Sequence, residues 1–349
     1  MKMTVYKSVL IAFLFITFNT TGLISQNSKP NQGLIGFYNL ENLFDTIDAP
    51  DINDEEFTPK GPRLWNSAKY FDKLTNMSSV ISQIGTNLNP DGLAILGVSE
   101  IENRNVVEDL ISQPKLKNRN YHIIHFDSYD NRGIDLALIY SPKYFSPTHA
   151  KPVPVKIYDG TKQIFTRDIL VVSGLLMGEQ VTFMVNHWPS RRGGESLTNP
   201  WRISAASECR KIADSLLTIN PDSRIVIMGD LNDEPTSPSV KNYIKTSGNL
   251  KKLKQGEMFN TMEHFFVRGI GTLAYKDAWG LFDQIIISDG WIRDSKKGLV
   301  FEKSFIFNKE FLLQKTGKYK GYPLRTFNGN EYAYGFSDHL PVFISFTKK

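Results

Sequence analysis

The sequence holds a single cysteine, Cys209, in 349 residues. A lone thiol excludes an intramolecular disulfide and any cysteine-built zinc site. Gly (25) and Pro (17) are too few for a fibrous or low-complexity chain. No Gly/Ser or Pro-rich linker and no internal repeat divides the sequence. No apolar run reaches the roughly 20 residues of a membrane helix. Charge of one sign is also weak: 41 Lys+Arg against 36 Asp+Glu leave +5. Basic residues are denser late in the chain, but surface lysine accounts for that as readily as a polyanion-binding face does.

What is present points elsewhere. With 23 Phe, 14 Tyr and 5 Trp the chain is too aromatic for disorder and long enough for a large core. Lys2 and Lys7 precede the apolar run Val9 to Ile16, and polar residues follow from Asn19 to Ser28. That is the layout of a secretory signal, shorter than a membrane anchor. Residues 1–25 are therefore expected to be a signal peptide, cleaved near Gly22 or Ser25, and residues 26–349 one domain. No cysteine lies nearby to carry a lipid. The expected product is secreted or periplasmic, has no transmembrane segment, and carries +3 once Lys2 and Lys7 are gone.

Short apolar segments rich in β-branched residues predict strands at Leu34–Tyr38, Leu93–Val98, Tyr121–Phe126, Ile134–Tyr140, Ile169–Leu175, Val181–Val185, Arg224–Met228, Phe282–Ile287 and Val342–Phe346. Phe71, Leu74, Met77, Ile81 and Ile84 recur at helical spacing. A second helix is predicted over Trp201–Leu217, with Ile203, Ala206, Ile212 and Leu216 inward and Cys209 a small core residue. Many strands with a few helices predict one layered α/β domain. The acidic stretch Asp48–Asn66 lacks the glycine and flanking helices of an EF-hand and reads as a long ordered loop beside a site.

The chemistry gathers where strands end. Leu93–Val98 runs into Ser99-Glu100-Ile101-Glu102, Val181–Val185 into Asn186-His187-Trp188, and Arg224–Met228 into Gly229-Asp230-Leu231-Asn232. Gly335-Phe336-Ser337 leads into Asp338-His339 before the last strand. Glu100, Asp230, Asn39 and Asn232 are hard oxygen donors suited to magnesium or manganese. On an extended backbone Asp230 and Asn232 point the same way. His187 and His339 titrate near neutral pH, and Asp283 is placed to orient a histidine. Taken singly, each has an ordinary reading. Glu100 can be a solvated strand end, Asp-Leu-Asn and Asn39 turns, Asp338-His339 surface material, and Asp135 the solvent face of an edge strand. Their joint order is what chance does not readily supply.

That order, Asn39, Glu100, His187, Gly229-Asp230-Leu231-Asn232, Asp283 and Ser337-Asp338-His339, resembles the endonuclease/exonuclease/phosphatase superfamily over residues 33–347. Phe37–Asp45 and Glu56-Phe57-Thr58-Pro59 look like its secreted bacterial members. The resemblance implies a four-layer α/β sandwich, with two packed mixed β-sheets flanked by helices. It implies Mg2+ (or Mn2+) held by Glu100, with Asn39 and Asp338 beside it. Asp230 and Asn232 would hold the attacking water and the phosphate, and His339, oriented by Asp283, would act on the nucleophile or phosphate. His187 would stand near the leaving oxygen. Glu41 stands where some relatives carry Asp, which puts its contact with a metal in doubt. Arg191 and Arg192 are candidates to clamp phosphate, as an alternative to a flexible solvated tip, and Arg132 is a weaker one.

The function so implied is metal-dependent phosphodiester hydrolysis by an exported, monomeric nuclease acting on DNA or RNA, with no stable protein partner. The alternatives are a phosphodiesterase or phosphatase on a small or lipid phosphate, such as sphingomyelin or an inositol phosphate, and a silent binding module. The intact polar set argues against the last.

Overall fold

A strand that is apolar on both faces must be covered on both faces, and the central strands of this chain meet that demand by stacking two sheets between helices. The computed structural model describes residues 31–50, 52–254, 256–293 and 297–349; the expected signal peptide lies outside them. Residues 31–349 cluster as one unit. The first sheet contains β1 (Gln32–Leu43), β2 (Ile95–Ile101), β3 (His122–Phe126) and β4 (Asp135–Tyr140). The second contains β5 (Phe145–Val153), β6 (Ile169–Leu176), β7 (Glu179–His187), β8 (Arg224–Asp230), β9 (Thr246–Ser247), β10 (Met258–Asn260) and β11 (Asp283–Ser288). β12 (Leu299–Ile306) and β13 (Val342–Lys348) return to the first. The orders are β12-β13-β1-β2-β4-β3 and β9-β10-β11-β8-β7-β6-β5. Both sheets are mixed: β1 runs parallel to β2, and β7 parallel to β8, with antiparallel neighbours outside each pair.

Side-chain alternation builds three cores. On β1, Ile35 and Phe37 face the second sheet, while Leu34 and Tyr38 face α1 (Ser67–Ile81) and α2 (Arg104–Ile111). On β8, Val226 and Met228 face the first sheet, while Ile225 and Ile227 face α3 (Glu195–Ile219). The layers are helices, sheet, sheet and helix. Gly97 lies against the second sheet: a Cβ there would lie 3.0 Å from Met228 and 3.1 Å from Val185.

Several expectations need correction. Phe71 is exposed, because the buried line of α1 runs through Tyr70, Leu74, Met77, Val80 and Ile81, and the helix ends before Ile84. α3 begins at Glu195, with Pro200 in its second turn. Its fully buried line is Arg202, Ala205, Ala206, Cys209 and Ala213, with Ile203, Ile212 and Leu216 half-buried. Asp135 does not lie on a solvent face: β4 is flanked by β2 and β3, and Asp135 is buried. The edge strands β5 and β12 escape sequence reading because their exposed positions are polar and β5 contains Pro147 and Pro152.

Candidate active site

Register places the polar strand ends at one rim of the sandwich. In the first sheet Asn39 pairs with Ser99, and Phe37 pairs with Val342, so Glu100 and the 337–339 turn flank the end of β1. In the second, Asp230 pairs with His187 on one side and Asp283 on the other. Two hydrogen bonds then cross between the sheets. Asn39 Nδ2 donates to Asp230 Oδ2 at 3.0 Å, and His339 Nδ1 meets Asp283 Oδ2 at 2.7 Å. The turn is fixed in turn, since Ser337 Oγ donates to the Asn39 carbonyl at 2.7 Å and accepts from the His339 amide at 3.1 Å.

Local backbone aims these groups. Glu41, Asn42, Glu100 and Asn232 all have left-handed φ, between 49° and 58°. Register shifts in the β1–β2 and β2–β4 pairings bracket the first three, as expected of bulges that re-aim side chains. Each such residue costs on the order of 1 kcal/mol, the asparagines less. Gly229 is required for another reason: a Cβ would strike the Asn186 carbonyl and lie 2.7 Å from its Cβ. That close approach lets β8 deliver Asp230 beside His187.

Asp230 is fully enclosed. Its Oδ1 accepts from the Asn232 amide at 3.0 Å, while His187 Nε2 and His339 Nε2 stand 3.6 and 3.8 Å from its Oδ2. Burial, together with the negative charge of Asp283 and Glu100, pushes its pKa up to about 7 against the pull of His339. For His339, burial opposes charge, but Asp283, Asp230 and Asp338 outweigh it and hold its pKa well above the usual range. His187 is the reverse case: burial, then Arg167, Arg132 and His339, hold it well below. The rim therefore carries a cationic imidazole, a neutral one, and between them a carboxylate poised near neutrality.

The donor chemistry suits a divalent cation. Glu100 Oε2 accepts from the Asn42 amide at 3.0 Å, while Oε1 takes no hydrogen bond among the described residues and lies 3.8 Å from His187 Nε2. Asp338 gives Oδ2 to Arg325 at 2.9 Å and leaves Oδ1 3.9 Å from His339 Nε2. Asn39 uses both ends of its amide within the protein, since Oδ1 also accepts from the Glu41 amide at 2.9 Å. A hard cation that keeps several waters and one or two carboxylates matches this set. Glu41 is closed to it. Its two oxygens take Arg325 Nε at 3.2 Å and the Thr326 amide at 2.7 Å. Burial first, then Asp338, pushes its pKa up to about 7 against Lys73 and Arg325.

The predicted phosphate clamps fall in different places. Arg191 turns inward, to the Asn232 carbonyl (2.8 Å), Asp233 (3.0 Å) and Glu195 (3.1 Å), with its guanidinium over Phe282. It buttresses the Asp230 loop rather than facing the cleft. Arg192 is exposed with no ion pair among the described residues, and Arg132 is exposed beside Asp130 yet near enough to act on His187. Sequence reading missed Arg167, which holds the His187 and Trp188 carbonyls (3.1 and 2.7 Å) and Asp130 (2.7 Å). It missed Arg325 and the buried Lys73, whose Nζ reaches Thr326 Oγ1 at 2.5 Å. Only a charged residue at a strand entry hinted at Arg167; the other two are set by partners more than 250 residues away. Beyond the rim, the His125 ring lies between Asp135 (3.1 Å) and Asp127 (3.9 Å), a second group of metal-ligand type.

No curated protein matches the chain. Solved structures do match in fold. D. rerio TDP2 complexed with single strand DNA product shares 12% identity at TM-score 0.53, over 91% of this chain and 99% of that one. A Bacteroides thetaiotaomicron endonuclease/exonuclease/phosphatase family protein shares 12% at TM-score 0.53, over 92% and 99%. A mannosyl-6-phosphatase of the same organism shares 13% at TM-score 0.52, over 90% and 99%. At such identities the likeness is one of fold. The model of the Endonuclease/Exonuclease/phosphatase family matches residues 34–348, nearly the whole described chain. On that match, and with a rim of this chemistry, the chain belongs to the endonuclease/exonuclease/phosphatase family and is a phosphoester hydrolase of that kind.

Proposed function

We propose that the protein is an exported, Mg2+- or Mn2+-dependent phosphodiesterase whose substrate is DNA or RNA. The observation that carries the hydrolytic reading is the pair of inter-sheet hydrogen bonds, Asn39–Asp230 and Asp283–His339, which hold a base and a cation side by side at one rim. A bound divalent cation would be held by Glu100 and Asp338 and would neutralise phosphate oxygens. Asp230, with a pKa near neutrality, takes the proton of the attacking water. His339 stays protonated against Asp283 and stabilises negative charge on the phosphoryl group. Neutral His187 presents Nε2 to the same space without adding charge, and Asn232, fixed to the Trp188 carbonyl at 3.0 Å, positions its loop.

Nucleic acid is favoured by the fold relative bound to a single-stranded DNA product and by the expected signal sequence, which suits scavenging. The mannosyl-6-phosphatase relative supports a second reading, a phosphatase on a small sugar or lipid phosphate. The test incubates purified protein with plasmid, single-stranded DNA, RNA, sphingomyelin, inositol phosphates and mannose 6-phosphate, with Mg2+, Mn2+ or chelator. Polynucleotide cleavage that chelator abolishes is expected. Turnover that survives chelator sinks the metal dependence, and turnover of monoesters alone sinks the nuclease reading.

A further inference from the structure

The turn between β3 and β4 draws together three side chains of metal-ligand type that the catalytic rim does not use. His125 pairs with Ala137, and Phe126 with Leu136. Carried one residue further, the same register brings Asp127 opposite Asp135, so His125, Asp127 and Asp135 share one face of the hairpin. It is the face on which Ile123, Ala137 and Ile139 pack toward the helices. His125 Nε2 lies 3.1 Å from Asp135 Oδ2, and Nδ1 lies 3.9 Å from Asp127 Oδ1. With one nitrogen taken from the ring and one oxygen from each carboxyl, the three ligand atoms lie within 4.8 Å of one another. The side chains of His125 and Asp135 are 4% and 5% exposed, and that of Asp127 is 90% exposed. The other Asp135 oxygen accepts from the Ser128 amide at 2.9 Å, which fixes that carboxyl in place.

Two carboxylates directly across a strand pair repel. Among the described residues neither Asp127 nor Asp135 has a Lys or Arg partner, and one imidazole serves both. We propose that His125, Asp127 and Asp135 bind a zinc ion at the base of this turn, outside the catalytic rim. The imidazole selects against calcium and magnesium, which take oxygen ligands, and for zinc, which accepts nitrogen together with carboxylate oxygen. Ligands set tetrahedrally around zinc lie about 3.4 Å apart. His125 and Asp135 already stand near that spacing. Asp127, free to rotate in solvent, closes the set, and water takes the fourth position. The Ser128 amide is then the outer contact that orients a ligand. The ion ties together the two strand ends that frame residues 127–134. Within that turn Asp130 holds Arg167 at 2.7 Å, and Arg167 holds the His187 and Trp188 carbonyls, so the ion stiffens a support of the rim.

The test uses the purified full chain, stripped with chelator and then freed of it. Zinc uptake is read by competition with a chromophoric chelator. Wild type and Glu100→Gln are expected to share one tight equivalent, which Asp127→Asn and His125→Gln each weaken at least tenfold. Asp127 is exposed and accepts no hydrogen bond among the described residues, so Asp127→Asn is expected to fold and to melt at or above wild type without metal. In wild type, Zn2+ is expected to raise Tm by about 3 °C or more. It is also expected to slow tryptic cleavage after Arg132, an exposed residue of the turn, at least threefold. The proposal is overturned if wild type takes up no such equivalent, or if Asp127→Asn binds zinc as tightly as wild type. Loss of the same equivalent in Glu100→Gln would overturn it too, by placing the ion at the rim. So would displacement of the zinc by an equal concentration of Ca2+ or Mg2+. A lower Tm for metal-free His125→Gln, with a full zinc response in Asp127→Asn, would mean that the ring is only the hydrogen-bond partner of Asp135.

Discussion

Replacing Asp230 with Asn should stabilise the protein while abolishing its activity, and the stabilisation should depend on pH in a defined direction. Folding carries the Asp230 carboxyl from its ordinary pKa of 3.8 to about 7. About three units at 1.36 kcal/mol each makes the ionised, enclosed carboxylate a burden of about 4 kcal/mol above pH 7. The sign follows from linkage. A group whose folded pKa is raised contributes stability fully below pH 3.8, and that contribution is lost as pH rises through about 7. At pH 5 the burden is about 1.6 kcal/mol, since the folded state is still protonated there. Asn removes it at every pH but offers one oxygen where the carboxyl offers two acceptors, to the Asn39 side chain and the Asn232 amide, a loss of about 2 kcal/mol at either pH. Asp230→Asn is therefore expected to be no more stable than wild type at pH 5 and more stable by about 2 kcal/mol at pH 8. The assay is urea denaturation at both pH values in chelator, because a bound cation would itself lower the carboxyl pKa. Turnover should fall by about 10²–10⁴. A variant less stable than wild type at pH 8, or a difference that does not change with pH, would refute the reasoning.

Asp283→Asn should lower kcat by about 10²–10⁴ and bring the His339 pKa down, because Asp283 is the leading favourable charge on that ring; an NMR titration of the ring that does not move would contradict this. Gly229→Ala should destabilise by about 2–3 kcal/mol, as its methyl group meets the Asn186 backbone; a loss under about 0.5 kcal/mol in chemical denaturation would show that β7 yields. Arg325→Gln removes the half-exposed partner of buried Glu41 and of Asp338. With Lys73 still present and solvent screening the outer face, it should lose about 1–2 kcal/mol and about tenfold in kcat, with Arg325→Lys recovering part. Equal turnover in all three would remove Arg325 from the rim's support.

Physical reasons separate what the sequence disclosed from what it concealed. All nine apolar segments became strands, because burial on both faces leaves an unbroken apolar run such as Leu93–Val98. Strands with one wet face, β5 and β12, lack that mark. The short α2 has a single buried stripe of Val106, Val107 and Leu110, and its cap, Asn103, reads as loop. The rim was visible because its polar residues abruptly end apolar strands. Its supports were not. Glu41 finds Arg325 across 284 residues, and Lys73 finds Thr326 across 253, separations that no local pattern encodes. The left-handed backbones at Glu41 and Glu100 were equally silent, since nothing in Glu favours them.

The reactive groups are divided between the sheets. Asn39, Glu100, Asp338 and His339 ride on the first, and His187, Asp230, Asn232 and Asp283 on the second. Their separation is therefore set by the thickness of the apolar layer between, where Gly97, Val185 and Met228 meet. That layer works as a gauge block. Adding or removing a methyl group in it alters the gap across which a phosphate must be gripped, although the layer lies beneath the groups that touch one. Substitutions there should appear first in turnover and only later in melting temperature, so a search for altered specificity has reason to begin in the hydrophobic interior.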